Sequence, residues 1–182
     1  LVYTKEFLES TRESPWGTTQ REQKEGLEFG IKEYEEIDRY CKANHIDWFA
    51  SCWDEDSVDF IEQFNPPAYK IASASLTDDG LLRHHKKYGR PIILSTGMSS
   101  MEEIDHAVEL LGTDKLIILH STSTYPSQPE ELNLKMVETL KAKYPVPVGY
   151  SGHEVGLAPT FTAAVLGASI IERHISLSRA MW

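Results

Sequence analysis

The sequence contains few of the features that mark secreted or membrane proteins. Its 182 residues include only two cysteines, Cys41 and Cys52, which do not form a CxxC pair. This scarcity argues against a disulfide scaffold and favours a reducing compartment, so we predict a cytoplasmic location. No apolar run is long enough to span a bilayer, and we therefore predict no membrane partner.

Positive charge is also scarce. Lysine and arginine together number 18 against 28 aspartates and glutamates, which gives a formal net charge of −10. A chain this acidic is not expected to bind nucleic acid. An anionic substrate would have to be held by a local positive site, because the overall field of the protein does not attract it.

Three common motifs are missing as well. The sequence contains no GxSxG nucleophile elbow, no Walker loop and no GxGxxG turn. Their absence argues against an α/β-hydrolase, a P-loop enzyme and a common dinucleotide-binding protein. The length is nevertheless that of one domain with a substantial core.

What the sequence does contain is an alternation of short apolar runs and helical segments. Leu1–Gly26 is polar and predicts a long loop with helical patches and a turn at Ser14–Gly17. The later segments predict strands at Ile46–Ser51, Ala68–Ser73, Pro91–Ser95, Leu116–His120, Val146–Tyr150 and Ser169–Ser176, and helices at Phe29–Asn44, Glu55–Phe64, Asp78–Tyr88, Ser100–Leu111, Pro129–Tyr144 and Val155–Leu166. The strands are apolar throughout, as in a parallel sheet covered on both faces.

Polar residues at the strand ends distinguish the two architectures that such alternation allows, an open doubly wound sheet and a closed barrel. The polar ends are Ser51–Asp54, Lys70–Ser73, Ser95–Thr96, His120–Ser123, Tyr150–His153 and Glu172–His174. In a barrel, all strand ends converge on one site. We therefore predict an α/β fold of the (β/α)8 TIM-barrel type. Because only six strands are visible, the chain would be a fragment with about six βα units that lacks the first two strands.

Two histidines near the ends of the last two predicted strands suggest a metal site. His153 follows one strand and His174 lies inside the next. Side chains alternate along a strand, so Glu172 and His174 would project together, beside His153. Neutral imidazoles and oxygen ligands suit a divalent transition metal such as Mn, Fe, Co or Zn. The alternative is two unrelated histidines, one in a loop and one in a core.

Other polar residues at the strand ends suggest an anion site. Lys70 stands inside an apolar strand, where an ammonium group needs a partner. That partner could be an anionic ligand or Glu172, or the side chain could reach solvent from the strand end. Ser95 precedes a glycine and a helix, a reasonable oxyanion or phosphate cradle. The hydroxyl-rich run Ser121–Tyr125 suggests a polyol or phosphate contact surface, with an ordinary turn as the alternative.

Longer segments resemble the sialic acid synthase family, which comprises N-acetylneuraminate synthases and their legionaminic and pseudaminic relatives. The segments are WFASCWDEDSVDFIEQF, PAYKIASASL, RPIILSTGMSSMEEI, HSTSTYPSQPEELNL, VPVGYSGHEVGLAP and GASIIERHISLSRAMW. The resemblance extends over nearly the whole chain, and these segments follow the family's order. The resemblance implies a (β/α)8 barrel followed by a small antifreeze-like domain. Residues 1–182 would then be a partial barrel domain without that C-terminal domain.

The activity that the resemblance implies is a metal-dependent condensation. Phosphoenolpyruvate would react with N-acetylmannosamine or a related acylamino-sugar, with or without a 6-phosphate, to give a nonulosonic (sialic) acid and phosphate. The metal would be Mn²⁺, with Mg²⁺ or Co²⁺ as alternatives. The full-length protein would be a homodimer.

The resemblance also assigns roles residue by residue. His153 and His174 would bind the metal, and Lys70 and Glu172 would be catalytic. Phosphoenolpyruvate would be held by Lys70, Ser73, Ser95, Ser121 and Ser151, and the sugar would be contacted by Ser123 and Tyr125. The sequence departs from many members of the family at two positions, where they carry Asp in place of Gly152 and Asn in place of Ser123.

Two other functions fit the same barrel. A non-catalytic sugar-binding or regulatory protein would keep the site without turnover. An aldolase would use Lys70 as a Schiff base, although the two histidines favour a metal instead.

Overall fold

The computed structural model describes residues 3–178 and shows an α/β fold around a parallel sheet. The helices are α1 (Lys5–Glu9), α2 (Gln20–Leu27), α3 (Ile31–Ala43), α4 (Glu55–Glu62), α5 (Asp79–Lys87), α6 (Met101–Leu111), α7 (Met136–Lys143) and α8 (Ala158–Val165). The strands are β1 (Thr11–Ser14), β2 (Gly17–Thr19), β3 (Tyr69–Ile71), β4 (Ile92–Ser95), β5 (Leu116–Ser121), β6 (Val148–Gly152) and β7 (Ile171–Arg173). No helix in the described part of the chain is long and apolar enough to cross a membrane.

Strands β3 to β7 form the sheet and lie side by side in chain order, each parallel to the next. The sheet curls into a half-barrel. Helices α5 to α8 supply the crossovers between successive strands, as parallel pairing requires. All five carboxyl ends therefore lie along one rim of the sheet, and this rim carries the candidate site.

Alternation along the strands builds two cores. Residues on the helix side of the sheet, such as Ile71, Leu94 and Ile118, are buried against α6 and α7 in the main core. Residues on the other side form a smaller cluster of Ala68, Ile93 and Leu119. The rim positions that follow on this second side therefore face the concave interior of the sheet.

Local signals set the positions of several elements. Ser100 begins α6 with a capping box, in which its hydroxyl accepts from the Glu103 N–H and the Glu103 carboxylate accepts from the Ser100 N–H. Gly149 allows β6 and β7 to approach closely, because a Cβ there would lie 2.5 Å from the Ile170 carbonyl oxygen. The two strands pair as far as Gly152 and Arg173.

The prediction of a long loop with helical patches at Leu1–Gly26 is confirmed for the helical patches and wrong for the loop. Residues 3–27 form α1, the antiparallel hairpin β1–β2 and α2, while Leu1 and Val2 lie outside the described residues. The predicted turn at Ser14–Gly17 is the hairpin turn. The strands were missed because they are three or four residues long and mostly exposed, so they carry no apolar alternation.

Two later predictions also need correction, and the described residues contain five parallel strands rather than six. Ile46–Ser51 makes only one isolated bridge, between Ser51 and Lys70. Its Trp48 and Ala50 side chains pack against a cluster beside α4 instead of continuing the sheet. The helix predicted at Pro129–Tyr144 is a 3₁₀ turn followed by α7, since Asn133 between them has a φ of 42°.

Candidate active site

The carboxyl ends of the five strands enclose a cavity of about 340 Å³. All ten residues that the sequence singled out line it: Lys70, Ser73, Ser95, Ser121, Ser123, Tyr125, Ser151, His153, Glu172 and His174. The structure therefore brings together side chains that lie up to about one hundred residues apart in the chain. Their chemical roles stay predictions.

Lys70 is the buried positive charge of this cavity. Its residue is 7% exposed, and its Nζ donates to the Ser95 hydroxyl at 2.8 Å and to the Ile71 carbonyl at 3.3 Å. Burial lowers the pKa of the Lys70 ammonium, and the nearby Glu172 carboxylate opposes that shift. The side chain thus faces the cavity and does not reach out to solvent.

Glu172 is only a partial counter-ion for this ammonium. Its Oε1 accepts from the Ser151 hydroxyl at 2.7 Å but lies 3.7 Å from Lys70 Nζ. The carboxylate side chain is 39% exposed, whereas that of Lys70 is 8% exposed. The buried Lys70 ammonium, with only one distant carboxylate, can therefore still donate a hydrogen bond to an anionic ligand.

Hydroxyl groups cover the other wall of the cavity. Ser121 Oγ is buried and has no hydrogen-bond partner among the described residues. Ser73 Oγ accepts from the Gly97 N–H at 2.9 Å, and a Cβ at Gly97 would overlap the hydroxyls of Ser73 and Ser123. An unpaired buried hydroxyl is costly, so an oxygen-rich ligand beside Ser121 would remove a real penalty.

The two histidines meet at the mouth of the cavity. Their ring centroids are 5.2 Å apart. His153 Nδ1 lies 2.6 Å from the Thr122 carbonyl, and since a carbonyl only accepts, Nδ1 carries the proton. His153 Nε2 therefore has a free lone pair, which accepts from the Tyr125 hydroxyl at 2.8 Å. The Tyr125 ring also packs against both imidazoles.

This donor set fits part of a metal site. The contact of His153 with a backbone carbonyl fixes the tautomer that leaves Nε2 free, an arrangement common in metal-binding histidines. Within residues 3–178, no group of three or more His, Cys, Asp or Glu side chains could hold a metal ion. His153 and His174 would therefore supply two nitrogen ligands of the kind that divalent transition metals bind.

Five lining residues are not among the predicted site residues: Ser51, Trp53, Ala72, Ala74 and Met98. Ser51 and Trp53 lie on the cavity next to Lys70. Ser51 and Trp53 fall in the segment Ser51–Asp54, which is one of the predicted polar strand ends. Their position in the sequence is the feature that could identify them, because both stand at the end of an apolar run, as the predicted site residues do.

The family of the chain follows from comparison with known sequences. The family model described as the NeuB family matches residues 2–182. This chain belongs to the NeuB family. The predicted resemblance to sialic acid synthases is confirmed, because curated relatives of this NeuB-family chain carry such names.

Two of these relatives show the range of the likeness. The N-acetylneuraminate-9-phosphate synthase of Homo sapiens is 37% identical over 93% of this chain and 48% of its own length. The N,N'-diacetyllegionaminic acid synthase of Legionella pneumophila is 30% identical over 92% of this chain and 49% of its own length. The chain therefore spans about half the length of the curated relatives it matches.

A solved structure supports the same fold. The N-acetylneuraminic acid synthetase of Leptospira borgpetersenii, crystallised in complex with citrate, aligns with a TM-score of 0.81 and 34% identity. The alignment covers 84% of this chain and 54% of that one. This NeuB-family chain thus has the backbone arrangement of a known sialic acid synthetase over most of its length.

Proposed function

We propose that this chain forms part of the active site of a synthase that condenses phosphoenolpyruvate with N-acetylmannosamine or a related acylamino-sugar, with or without a 6-phosphate. The products would be a nonulosonic acid and phosphate. The named relatives support a synthase of this class. The observation that carries the proposal is the convergence of a buried ammonium, an unpaired hydroxyl and two imidazoles on one cavity.

The same proposal extends the fold. The five parallel strands and the bridge at Ser51 would belong to a (β/α)8 barrel, with residues 1–182 forming a partial barrel domain and the antifreeze-like domain lying outside them. We also propose a homodimer for the full-length protein and a cytoplasmic location. Both cysteines are free, as is usual in a reducing compartment.

Phosphoenolpyruvate would lie against the buried side of the cavity. Its negative charge would pair with the Lys70 ammonium, which Glu172 approaches only to 3.7 Å. Ser121 would donate its free hydroxyl, and the Gly97 loop would place the Ser73 hydroxyl beside the same ligand. Charge-assisted hydrogen bonds of this kind are among the stronger ones in proteins.

The sugar would enter at the mouth, near Ser123 and Tyr125. A divalent metal, Mn²⁺ with Mg²⁺ or Co²⁺ as alternatives, would be held there by His153 and His174. When bound, it would supply Lewis-acid polarisation of the sugar aldehyde.

In the reaction, the C2=C3 electron pair of phosphoenolpyruvate would form the bond from C3 to the aldehyde carbon, and the C=O electrons would move onto the aldehyde oxygen. Water would add to C2 and lose a proton, while the former aldehyde oxygen gains one and becomes a hydroxyl. The C2–O bond then breaks, so that phosphate leaves with the bridging oxygen. Lys70 would hold the departing phosphate by its charge. Glu172, hydrogen-bonded to Ser151 and facing Lys70, lies where a carboxylate can accept or return the proton of the attacking water.

The test uses phosphoenolpyruvate labelled with ¹⁸O at the bridging position. The chain, or a longer protein that contains it, is incubated with N-acetylmannosamine, its 6-phosphate or a diacetylated relative, together with Mn²⁺. The proposal predicts sugar-dependent release of phosphate that carries the label. Binding of both ligands without phosphate release would instead indicate a binding protein, and borohydride trapping at Lys70 would indicate an aldolase.

A further inference from the structure

A partly buried ion pair joins the two residues that adjoin the histidines. Glu154 directly follows His153, and Arg173 directly precedes His174. Arg173 Nη1 forms an ion pair with Glu154 Oε1, whose side chain is 2% exposed. The pair lies on the helix side of the sheet, opposite the cavity, because Arg173 and His174 are consecutive residues at the end of β7.

The pair belongs to a saturated hydrogen-bond network, which we call the rim network: Tyr150, Glu154, Thr160 and Arg173. The Tyr150 hydroxyl donates to Glu154 Oε2 at 2.8 Å, and the Thr160 hydroxyl donates to Oε1 at 3.1 Å. Arg173 Nη2 donates to the backbone carbonyls of Glu154 at 2.7 Å and Gly156 at 3.2 Å. The Arg173 guanidinium thus binds both the side chain and the backbone of Glu154, the residue after His153.

Gly152 shows that the sequence leaves room for this arrangement. A Cβ at Gly152 would lie 2.6 Å from Glu154 Oε2, 2.7 Å from Arg173 Nη1 and 2.7 Å from Tyr150 Cε1. The last residue of β6 therefore carries no side chain where the ion pair sits. The Glu154 carboxylate is 2% exposed and fully hydrogen-bonded, whereas the Arg173 side chain is 25% exposed.

We propose that Glu154 and Arg173 are positioning residues that hold His153 and His174 at the separation a shared metal requires. Each member of the pair is covalently next to one histidine, so the ion pair ties the two strand ends together directly behind the imidazoles. Metal ligands must lie within about 0.2 Å of their proper distances, and residues that orient the ligands change metal affinity when they are removed. The inference rests on the proposed function only for the identity of the bound group.

The chain provides a matched control at the opposite ends of the strands. Tyr69, Glu62 and Arg90 form the foot network, in which the Tyr69 hydroxyl and the Arg90 guanidinium both donate to the Glu62 carboxylate. Arg90 also donates to the Pro66 carbonyl at 2.7 Å. The same three residue types thus make the same kind of network at the amino-terminal end of β4, away from both histidines.

The experiment compares Arg173→Gln with Arg90→Gln by calorimetric titration of the chain with MnCl₂, at a temperature where circular dichroism shows both variants folded. We expect Arg173→Gln to weaken Mn²⁺ binding by about 10- to 100-fold and Arg90→Gln by less than about twofold. If Arg173→Gln does not fold, Arg173→Lys keeps the charge but cannot reach both carbonyls, and we expect it to weaken binding as well. Equal affinities for the Arg173 variant and wild type, or equal losses in both variants, would overturn the proposal.

A second readout does not need the metal. Long-range ¹H–¹⁵N spectra of the histidine rings should show His153 protonated at Nδ1 in wild type and in Arg90→Gln. In Arg173→Gln we expect the His153 and His174 resonances to shift or broaden as the single arrangement is lost. If wild type binds no Mn²⁺, the metal assignment in the proposed function fails, and these spectra alone decide the positioning role. Unchanged ring resonances in Arg173→Gln would refute it.

Discussion

The rim and foot networks use the same three residue types with different surroundings. The Glu154 side chain of the rim network is 2% exposed, whereas that of Glu62 in the foot network is 25% exposed. Arg90 ties the residues before β3 to the start of β4, while Arg173 grips the backbone next to His153. In parallel α/β sheets, ligand sites lie at the carboxyl ends of the strands. The comparison suggests that identical chemistry stabilises the fold at one end and positions a site at the other.

The largest expected difference is in the cost of removing each carboxylate. Glu154→Leu leaves Arg173 beside an apolar group in a buried place, and we expect a loss of about 3–5 kcal/mol in the free energy of unfolding. Glu62→Leu should cost about 1.5–3 kcal/mol, because the Glu62 side chain is itself 25% exposed and its site is open to water. Urea unfolding measures both values. A larger loss for Glu62→Leu than for Glu154→Leu would remove the distinction between the two networks.

Lys70→Met tests the incomplete ion pair at the rim, that of Lys70 with Glu172, against the complete pair of Arg173 with Glu154. Burial lowers the pKa of the Lys70 ammonium, so below that pKa the charged form weakens the fold and its removal should leave stability unchanged or increased. Binding of phosphoenolpyruvate should fall by about 10- to 100-fold, the value of a charge-assisted hydrogen bond of about 1.5–3 kcal/mol. Calorimetry measures the affinity for phosphoenolpyruvate, and urea unfolding measures the stability. A destabilised variant that keeps its affinity would show that Lys70 serves the fold.

We expect the free energy of unfolding to fall in acid because of His85, which lies near the foot network. His85 is fully buried, packs against the Tyr69 ring, and has an unpaired Nε2. Burial lowers the pKa of His85, so the unfolded chain binds a proton that the folded chain does not as the pH falls below about 6.5. Stability should then decrease by about 1.4 kcal/mol per pH unit for this group.

His85→Phe should remove that part of the slope when unfolding is measured from pH 7.5 to 5. Exposed His106, which contacts Asp79, offers a control, since His106→Gln should not reduce the loss. The buried His120, whose pKa is also lowered by burial, will leave some slope in either variant. An unchanged slope in His85→Phe would show that His85 does not lower the stability of the fold in acid.

The smallest effect is expected at a surface pair. Lys143 and Asp105 join α7 to α6 at 2.6 Å, but both side chains are at least 40% exposed. Asp105→Asn should therefore change the free energy of unfolding by no more than about 1 kcal/mol and leave Mn²⁺ binding unaffected. A loss as large as that of Glu154→Leu would mean that exposure does not separate the networks as we describe.

The sequence predicted the parallel strands and the contents of the cavity for one physical reason. Apolar strands such as β4 and β5 are identified by their composition, and parallel strands place the residues after them on one rim. This is why Ser95, Ser121 and Lys70 could be grouped before their contacts were known. Whether Lys70 faced solvent or the cavity depended on its neighbours and could not be decided from the strand alone.

Other features depend on contacts that a local pattern does not contain. The hairpin β1–β2 is short and polar, and Ile46–Ser51 is apolar but lacks the partner that would make it a strand. The rim network depends on the register of β6 and β7, where Gly152 lies opposite Arg173. Glu154 and Arg173 are 19 residues apart, so neither composition nor spacing indicated their pairing.

The most direct test of the account is an anomalous-scattering map of crystals of the chain grown with MnCl₂. We expect one manganese peak at about 2.0–2.3 Å from His153 Nε2 and from a ring nitrogen of His174, with the Tyr125 hydroxyl displaced from the His153 lone pair. A peak bound to only one of the two histidines, or none at the mouth of the cavity under conditions that saturate the protein, would contradict the account.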